Sequence, residues 1–405
     1  MKRFPSLLAA TSLTFTLSAC TQDTAGETIE VTASDTTCTV SEDSVETGTA
    51  TFSVENSAGA PLAFFVLAPG GGRVYGSRDE IMPGSSADLK VSLEPGEYAT
   101  ACKLGWRGPD IGPARFTVTG DTDTAAEGSE AERLEDARDN YVTFARRELA
   151  EFLPQVEEFA ETYAAGDDER AKELYPAARE KYMRISPLAV SIGVLDERIN
   201  TREEEYTARA GDLKERDQTF TEWLGFHRIE KDLWPEEDAE VSEPEEPTTP
   251  RERREIADAL IGDVEQLKMT IDKSSFIESR DITMDTIVRG ALRQIEQPAH
   301  DVYDAIGAVH ASRAVFDAVK DTAADRGEEG EKLVEDTEER LDSLQRSLED
   351  QVAELNNPDD VDGTENTEAA EDAEEVNSTI DLGELHEDLT RIADLLGLEM
   401  EEQEG

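Results

Sequence analysis

His227 and Glu230 are the residues whose types and spacing most directly suggest chemistry. They lie in the stretch Thr221–Trp234, where Trp223, Phe226, Ile229 and Leu233 recur at three- and four-residue steps and predict a helix with a buried stripe. Three residues apart on a helix, the imidazole and the carboxylate share a face, and one cation could contact both. Such a pair suits iron, zinc, copper or manganese without selecting one. A half-buried histidine paired with a neighbouring acid is the alternative that the spacing leaves open.

The overall charge limits the partners. Asp and Glu total 94 against 39 Lys and Arg, which gives a net charge of -55 over 405 residues. Nucleic acid and anionic lipid head groups would be repelled by most of this surface, so we expect no nucleic-acid partner. The carboxylates are compatible with cation binding, although any single acidic run is typical of a solvated surface. The length predicts two domains.

The first twenty residues predict export and attachment to a lipid. A positive start at Lys2 and Arg3 precedes a modestly apolar core, and Leu17-Ser-Ala-Cys20 ends it. This ending resembles the lipobox of bacterial lipoproteins, in which the cysteine, here Cys20, becomes the lipidated N-terminus; an ordinary cleaved signal is the alternative. Residues 21–27 would form the tether. No later run of 18 apolar residues occurs, so we expect an extracytoplasmic protein that is held at the cell membrane by lipid.

Residues 28–120 have the pattern of a β-sandwich. Six short strand-like runs are separated by turn-forming residues such as Pro69-Gly-Gly-Gly72. Cys38 and Cys102 lie in this region, and in an oxidising compartment such a pair is most often a disulfide, with a thiolate cation site as the alternative. The order of strands and cysteines resembles a cupredoxin. The region contains no histidine, which excludes a blue copper centre and favours a spacer or docking role.

The rest of the chain has a helical pattern. Residues 121–132 are small and acidic and predict an interdomain linker, and residues 133–405 predict an all-α domain. Within it, Pro187 is predicted to break the helix that begins at Asp168. The acidic stretch 356–378 predicts a disordered insertion.

Several runs of the helical half resemble a known family, the imelysin-like lipoproteins of bacterial iron uptake, of the EfeO type. The central run is Gly225-Phe-His-Arg-Ile-Glu-Lys-Asp-Leu-Trp234. The other runs are Ala164–Asp167, Lys172–Arg179, Leu195–Glu203, Leu260–Leu267 and Ile392–Leu398. A cupredoxin-like domain ahead of the helical one is the arrangement of full-length members. The resemblance therefore implies an N-terminal cupredoxin-like β-sandwich followed by an all-α imelysin-like helical bundle.

The resemblance also implies a function. The helical bundle would hold a metal site in its interior and bind iron outside the membrane. The ion would then pass to a membrane permease, with a haem peroxidase-type component in the same uptake system.

The sequence departs from the family at three acidic positions. Members usually carry Tyr-Glu-Arg-Ile-Glu-Pro where this chain has Tyr182-Met-Arg-Ile-Ser-Pro187, so Met183 and Ser186 replace two carboxylates. Asn200 replaces an aspartate. A family His-Thr-Asp-Leu run corresponds to Ala299-His-Asp-Val302, which retains Asp301 as an acid.

The resemblance leaves His227, Glu230 and Asp301 as the expected metal ligands. Iron, as Fe3+ or Fe2+, is the expected ion, and another divalent cation remains open. His300 is either a replacement ligand or an exposed helix residue. Because one imidazole and two carboxylates leave water to complete the coordination shell, we expect weaker binding than a complete ligand set would give.

Three functions follow from these residues. The leading hypothesis is a metal-binding uptake component that performs no chemistry on a substrate. The second is a divergent relative that has lost ion binding and serves as a scaffold or docking protein in the same assembly. The third is a zinc peptidase, which would need a third protein ligand and a general base that His-x-x-Glu does not supply. We therefore expect a protein that is not an enzyme.

Overall fold

The computed structural model describes residues 28–120, 129–208, 222–235, 248–273, 277, 282–296, 302–356, 382–398 and 400. Cys20, His300, Asp301 and residues 357–378 of the expected insertion lie outside these ranges. Among the described residues, no helix has the length and apolar character needed to cross a membrane.

Residues 28–119 form nine strands in two sheets, which confirms the predicted β-sandwich. The strands are β1 Thr28–Ala33, β2 Cys38–Val40, β3 Ser44–Glu46, β4 Gly48–Asn56, β5 Leu62–Leu67, β6 Val74–Ile81, β7 Ser86–Leu93, β8 Gly96–Leu104 and β9 Ile111–Thr119. One sheet has the order β2-β1-β4-β7 and the other β3-β9-β8-β5-β6. The structure joins Cys38 of the first sheet to Cys102 of the second in a disulfide.

Strand β5 is buried on both faces and connects the two halves of the protein. Leu62, Phe64 and Val66 pack inside the sandwich, against residues such as Phe52. The alternate residues Ala63, Phe65 and Leu67 belong to the core of the helical domain. Because successive side chains of a strand point to opposite faces, one six-residue strand contributes to two cores.

The helical half is a bundle of long helices, as predicted. Its helices are α1 Glu130–Ala165, α2 Asp168–Ala189, α3 Val194–Asn200, α4 Phe226–Leu233, α5 Pro250–Ile271, α6 Met284–Glu296, α7 Val302–Ala324, α8 Glu328–Asn356 and α9 Gly383–Leu395, and residues 203–208 are also helical. Helix α1 packs between α2 and α5, while α2 also packs on α7, which in turn packs on α8.

Two predicted boundaries need correction. The linker predicted through Glu132 is shorter, because α1 begins at Glu130 after a capping box in which Ser129 and Glu132 each satisfy the other's backbone N–H. The predicted break at Pro187 is wrong, since α2 continues to Ala189. Pro187 has no N–H to offer the carbonyl of Met183, but the Ser186 hydroxyl donates to that carbonyl at 2.8 Å. Ser186 therefore satisfies the backbone group that the proline leaves without a helical partner.

A buried charge cluster lies where the sandwich meets α1. Lys103 of β8 is fully buried and pairs with Asp110 at 3.2 Å. Arg147 of α1 also pairs with Asp110 and donates to the carbonyl of Gly71 at 3.0 Å. These two cations lower the pKa of Asp110 even though burial acts in the opposite direction. Asp110 thus pairs with a cation from each domain, and Glu151 of α1, 3.4 Å from Lys103, supplies the second negative charge.

A second pair, of a buried tyrosine and a half-buried aspartate, fixes α3 on α2. Tyr182 of α2 is fully buried and donates its hydroxyl to Asp196 of α3. Burial raises the pKa of Asp196 from its usual 3.8 to about 6, although the bond from Tyr182 and the charge of Arg179 oppose the rise. Folding therefore favours the protonated form of this carboxyl.

We predict that Asp110→Asn lowers the free energy of unfolding by about 3 kcal/mol, because buried Arg147 loses its carboxylate and buried Lys103 keeps only Glu151, at 3.4 Å. Denaturant unfolding of the purified protein would measure this change. Glu97→Gln is the matched control, since Glu97 pairs with Arg115, whose side chain is 82% exposed, and its loss should cost less than about 1 kcal/mol. Equal effects of the two substitutions would contradict the buried role of Asp110.

We predict that Asp196→Asn removes one source of pH dependence. In the wild type, the pKa of Asp196 is higher in the folded state than in the unfolded state. The contribution of Asp196 to stability is therefore complete below about pH 4 and is lost as the pH rises through about 6. Because the carboxyl is only half-buried, we discount the loss to about 2 kcal/mol. Unfolding experiments should show that, from pH 4 to pH 7, the free energy of unfolding of the variant rises by that amount relative to the wild type. A constant difference at both pH values would contradict the raised pKa.

Candidate functional site

Helix α4, which carries His227, is placed by a glycine at its start. Gly225 has φ +89°, and a Cβ there would lie 2.3 Å from the carbonyl oxygen of Ile199. Only glycine permits both this backbone conformation and this close approach to the end of α3. The predicted helix over Thr221–Trp234 is therefore shorter and begins at Phe226, and Trp223 precedes it. This contact sets α4 beside Asn200, the last residue of α3.

Aromatic packing fixes the orientation of α4. The ring of Phe226 lies 5.9–6.3 Å, centroid to centroid, from four rings on α1 and α2: Phe152, Phe159, Tyr175 and Tyr182. Ile229 and Leu233 are buried with it, as the periodicity predicts. His227, which directly follows Phe226, is also buried, with 8% of its surface exposed. Its ring is therefore held away from bulk solvent.

The two ring nitrogens of His227 have different partners. Nδ1 lies 2.7 Å from Oε2 of Glu230, and Nε2 lies 3.1 Å from Nη2 of Arg179. A guanidinium can only donate, so Nε2 must accept, and the ring proton is on Nδ1 and is donated to Glu230. The imidazole is thus neutral, and its lone pair faces a positive charge. Glu230 sets the tautomer, as a carboxylate does behind many metal-bound histidines.

Arg179 of α2 is the cation at the centre of this arrangement. Its guanidinium is buried and donates to Asn200 Oδ1, to His227 Nε2 and, at 3.1 Å, to Asp304 Oδ1 on α7. Arg202 binds the other oxygen of Asp304. Burial would raise the pKa of Asp304, but the charges of Arg179 and Arg202 outweigh burial and lower this pKa. Asp304 is therefore an ionised carboxylate inside the bundle.

The geometry changes the roles expected from the sequence. His227 Nε2 and Asp304 Oδ1 are each 3.1 Å from the same nitrogen of Arg179, so a cation at that position would contact both. Glu230 is bonded to the far side of the imidazole and orients it. Among the residues that the structure describes, no three or more His, Cys, Asp or Glu side chains are grouped to hold a metal ion. Asp301 and His300 lie outside those residues.

The positions that depart from the family lie at or close to this cluster. Met183 and Asn200 line a small cleft beside Arg179 and Asp304, together with Arg202 and Gln294. The cleft has room for about one water molecule. Ser186 instead bonds the carbonyl of Met183 within α2.

Sequence reasoning missed Arg179, Arg202 and Asp304. A signal for two of them was present, because each is a charged residue within an apolar stripe. Arg179 follows Tyr175 and Ala178 on the buried face of α2, and Asp304 lies among the buried residues of α7. A charge at such a position requires a buried partner, although the pattern does not say which one.

Comparisons with known proteins agree with both halves of the fold. The family model of imelysin matches residues 137–303, and that of the cupredoxin-like domain matches residues 7–109. The chain is 30% identical over 272 residues to the iron uptake system component EfeO of Escherichia coli O157:H7, of E. coli strain K12 and of Shigella flexneri. The match spans 67% of this chain and 64% of the length of those relatives. The chain therefore joins a cupredoxin-like N-terminal region to an imelysin-like helical region, and it is similar to EfeO-type proteins over two thirds of its length.

Proposed function

We propose that this protein is an extracytoplasmic component of an iron-uptake system. The iron-uptake role for which its relatives are named and the export signal predicted from its first twenty residues support this assignment. Cys20 would anchor the chain to the membrane by lipid. The protein would bind the ion and pass it to a membrane permease, alongside a haem peroxidase-type component.

The ion would bind at the position that the guanidinium of Arg179 fills. The observation that carries this proposal is that His227 Nε2 and Asp304 Oδ1 converge on one cationic nitrogen, each at 3.1 Å. Imidazole nitrogen and carboxylate oxygen are both ligands of iron in proteins. Glu230 would orient the imidazole from behind, and Asn200 would offer an amide oxygen. Asp301, which lies outside the described residues, remains a proposed additional ligand.

The charge around the position favours an ion of low charge. Asp304 and Glu230 supply two negative charges, while Arg179 and Arg202 supply two positive ones. If Arg179 moves away, the remaining three groups sum to one negative charge. A divalent ion such as Fe2+ then leaves less uncompensated charge in the bundle than Fe3+ does. We therefore propose Fe2+, or another divalent cation, as the preferred cargo.

The scaffold alternative also has an observation in its favour. Arg179 already satisfies His227, Asn200 and Asp304, so this part of the bundle is neutralised without a metal. A protein that lost ion binding could keep the same arrangement as a structural core. Its role would then be docking within the same membrane assembly.

Catalysis is the weakest of the three hypotheses. A zinc peptidase needs three protein ligands, a general base and an open position for water. His227 and Asp304 supply two ligands, and Glu230 is engaged by the imidazole as its orienting partner. We propose that the protein does not hydrolyse peptides, and incubation with zinc and a mixed peptide substrate would reveal turnover if it does.

We predict that His227→Ala weakens Fe2+ binding by tenfold or more, because it removes the converging nitrogen ligand. Anaerobic calorimetric titration of the mature chain would measure the affinity. His386→Ala is the matched control, since His386 pairs with Glu296 near the surface and should leave the affinity unchanged. Fe2+ binding that is indifferent to His227→Ala, or no binding at all, would contradict the proposed ion site and favour the scaffold.

A further inference from the structure

We infer that Arg179 is a built-in competitor of the metal ion: its guanidinium fills the ion position in this structure and has to leave it before an ion can bind. This inference rests on the proposed ion site and adds how that site is controlled. A transfer component must both take up and release its cargo, and a resident cation that returns to the position would assist release.

The competition follows from the distances. Zinc, a divalent ion of similar size, binds imidazole nitrogen at about 2.0–2.1 Å, and we take this distance for Fe2+ as well. In this structure the lone pair of His227 Nε2 is directed at Arg179 Nη2, 3.1 Å away. An ion bonded to Nε2 would therefore lie within about 1 Å of that nitrogen. The ion and the guanidinium cannot occupy the position together.

The two cations also compete for the same anion. Asp304 Oδ1 accepts a hydrogen bond from Arg179 Nη2, and this oxygen is the one that converges with His227 Nε2. Arg202 donates a hydrogen bond to Oδ2, the second oxygen of Asp304. When Arg179 moves away, Asp304 keeps Arg202 and presents Oδ1 to the ion. The buried carboxylate of Asp304 is thus paired with a cation whether Arg179 or the ion occupies the position.

Two features favour movement of Arg179. Its Nε is buried and has no hydrogen-bond partner among the described residues, so the guanidinium is held only by its two terminal nitrogens. The adjoining cleft is lined by Met183, a flexible side chain, and by Gln294, whose amide oxygen can accept a hydrogen bond. A shift of Met183 would enlarge this cleft beside the guanidinium.

The test compares Fe2+ affinity of the wild type, Arg179→Gln and Arg202→Gln by anaerobic titration of the mature chain. Both substitutions remove one positive charge beside Asp304, but only Arg179→Gln vacates the ion position. We expect Arg179→Gln to bind Fe2+ at least tenfold more tightly than the wild type, and more tightly than Arg202→Gln. Should Arg179→Gln not fold, Arg179→Lys keeps a charge for Asp304 and should still bind more tightly than the wild type, because an ammonium cannot reproduce the bonds to both His227 and Asn200.

The outcomes separate this inference from the proposed function. The wild type could bind Fe2+ in a way that depends on His227, while Arg179→Gln binds it no more tightly. That result supports the proposed ion site but overturns the competition. Equal tightening by Arg179→Gln and Arg202→Gln also overturns it, since charge alone would explain the result. Binding by Arg179→Gln alone supports the competition, since only the variant that empties the position binds, and it counts against ion transport by the wild type. No binding by any variant overturns both proposals.

Discussion

The interior of the helical domain depends on one buried cation and the groups that neutralise it. Arg179 lies on α2 and binds Asn200 at the end of α3, His227 on α4 and Asp304 on α7. A buried charge is tolerated only when it is paired and hydrogen-bonded, so these contacts fix the relative positions of four helices. The short α4 depends on them most, because eight residues form a marginal helix without tertiary packing.

The same constraint recurs where the two domains meet. Asp110 pairs with Lys103 of the sandwich and with Arg147 of α1, and β5 contributes alternate residues to each core. The β domain therefore packs as a close neighbour of the bundle over both apolar and charged groups. Its lack of histidine is compatible with a docking or spacing role, with no blue copper centre of its own.

The sequence predicted the architecture better than the chemistry. Alternation and turn residues indicated the sandwich, and the three- and four-residue spacing of Phe226, Ile229 and Leu233 indicated the buried face of α4. The short strands β2 and β3 and the polar β6 lacked a strong apolar pattern and were missed. Pro187 was read as a break because local rules cannot foresee that Ser186 satisfies the carbonyl behind it.

The candidate site was less accessible to sequence reasoning for a physical reason. The spacing of His227 and Glu230 shows that they share a face, but which ring nitrogen faces the interior depends on Arg179, which lies 48 residues earlier. Asp304 is likewise brought to the site only by the packing of α7 on α2. In the proposed site Glu230 orients the ring, and Asp304 on α7 takes the ligand role that the sequence assigned to Glu230.

The most direct test of this account is the structure of the Fe2+-loaded protein, with the ion located by anomalous scattering. The account predicts iron bonded to His227 Nε2 and Asp304, with Glu230 still on Nδ1 and the guanidinium of Arg179 moved into the neighbouring cleft. Iron bound elsewhere, or Arg179 still bonded to His227 Nε2 in the loaded protein, would contradict it.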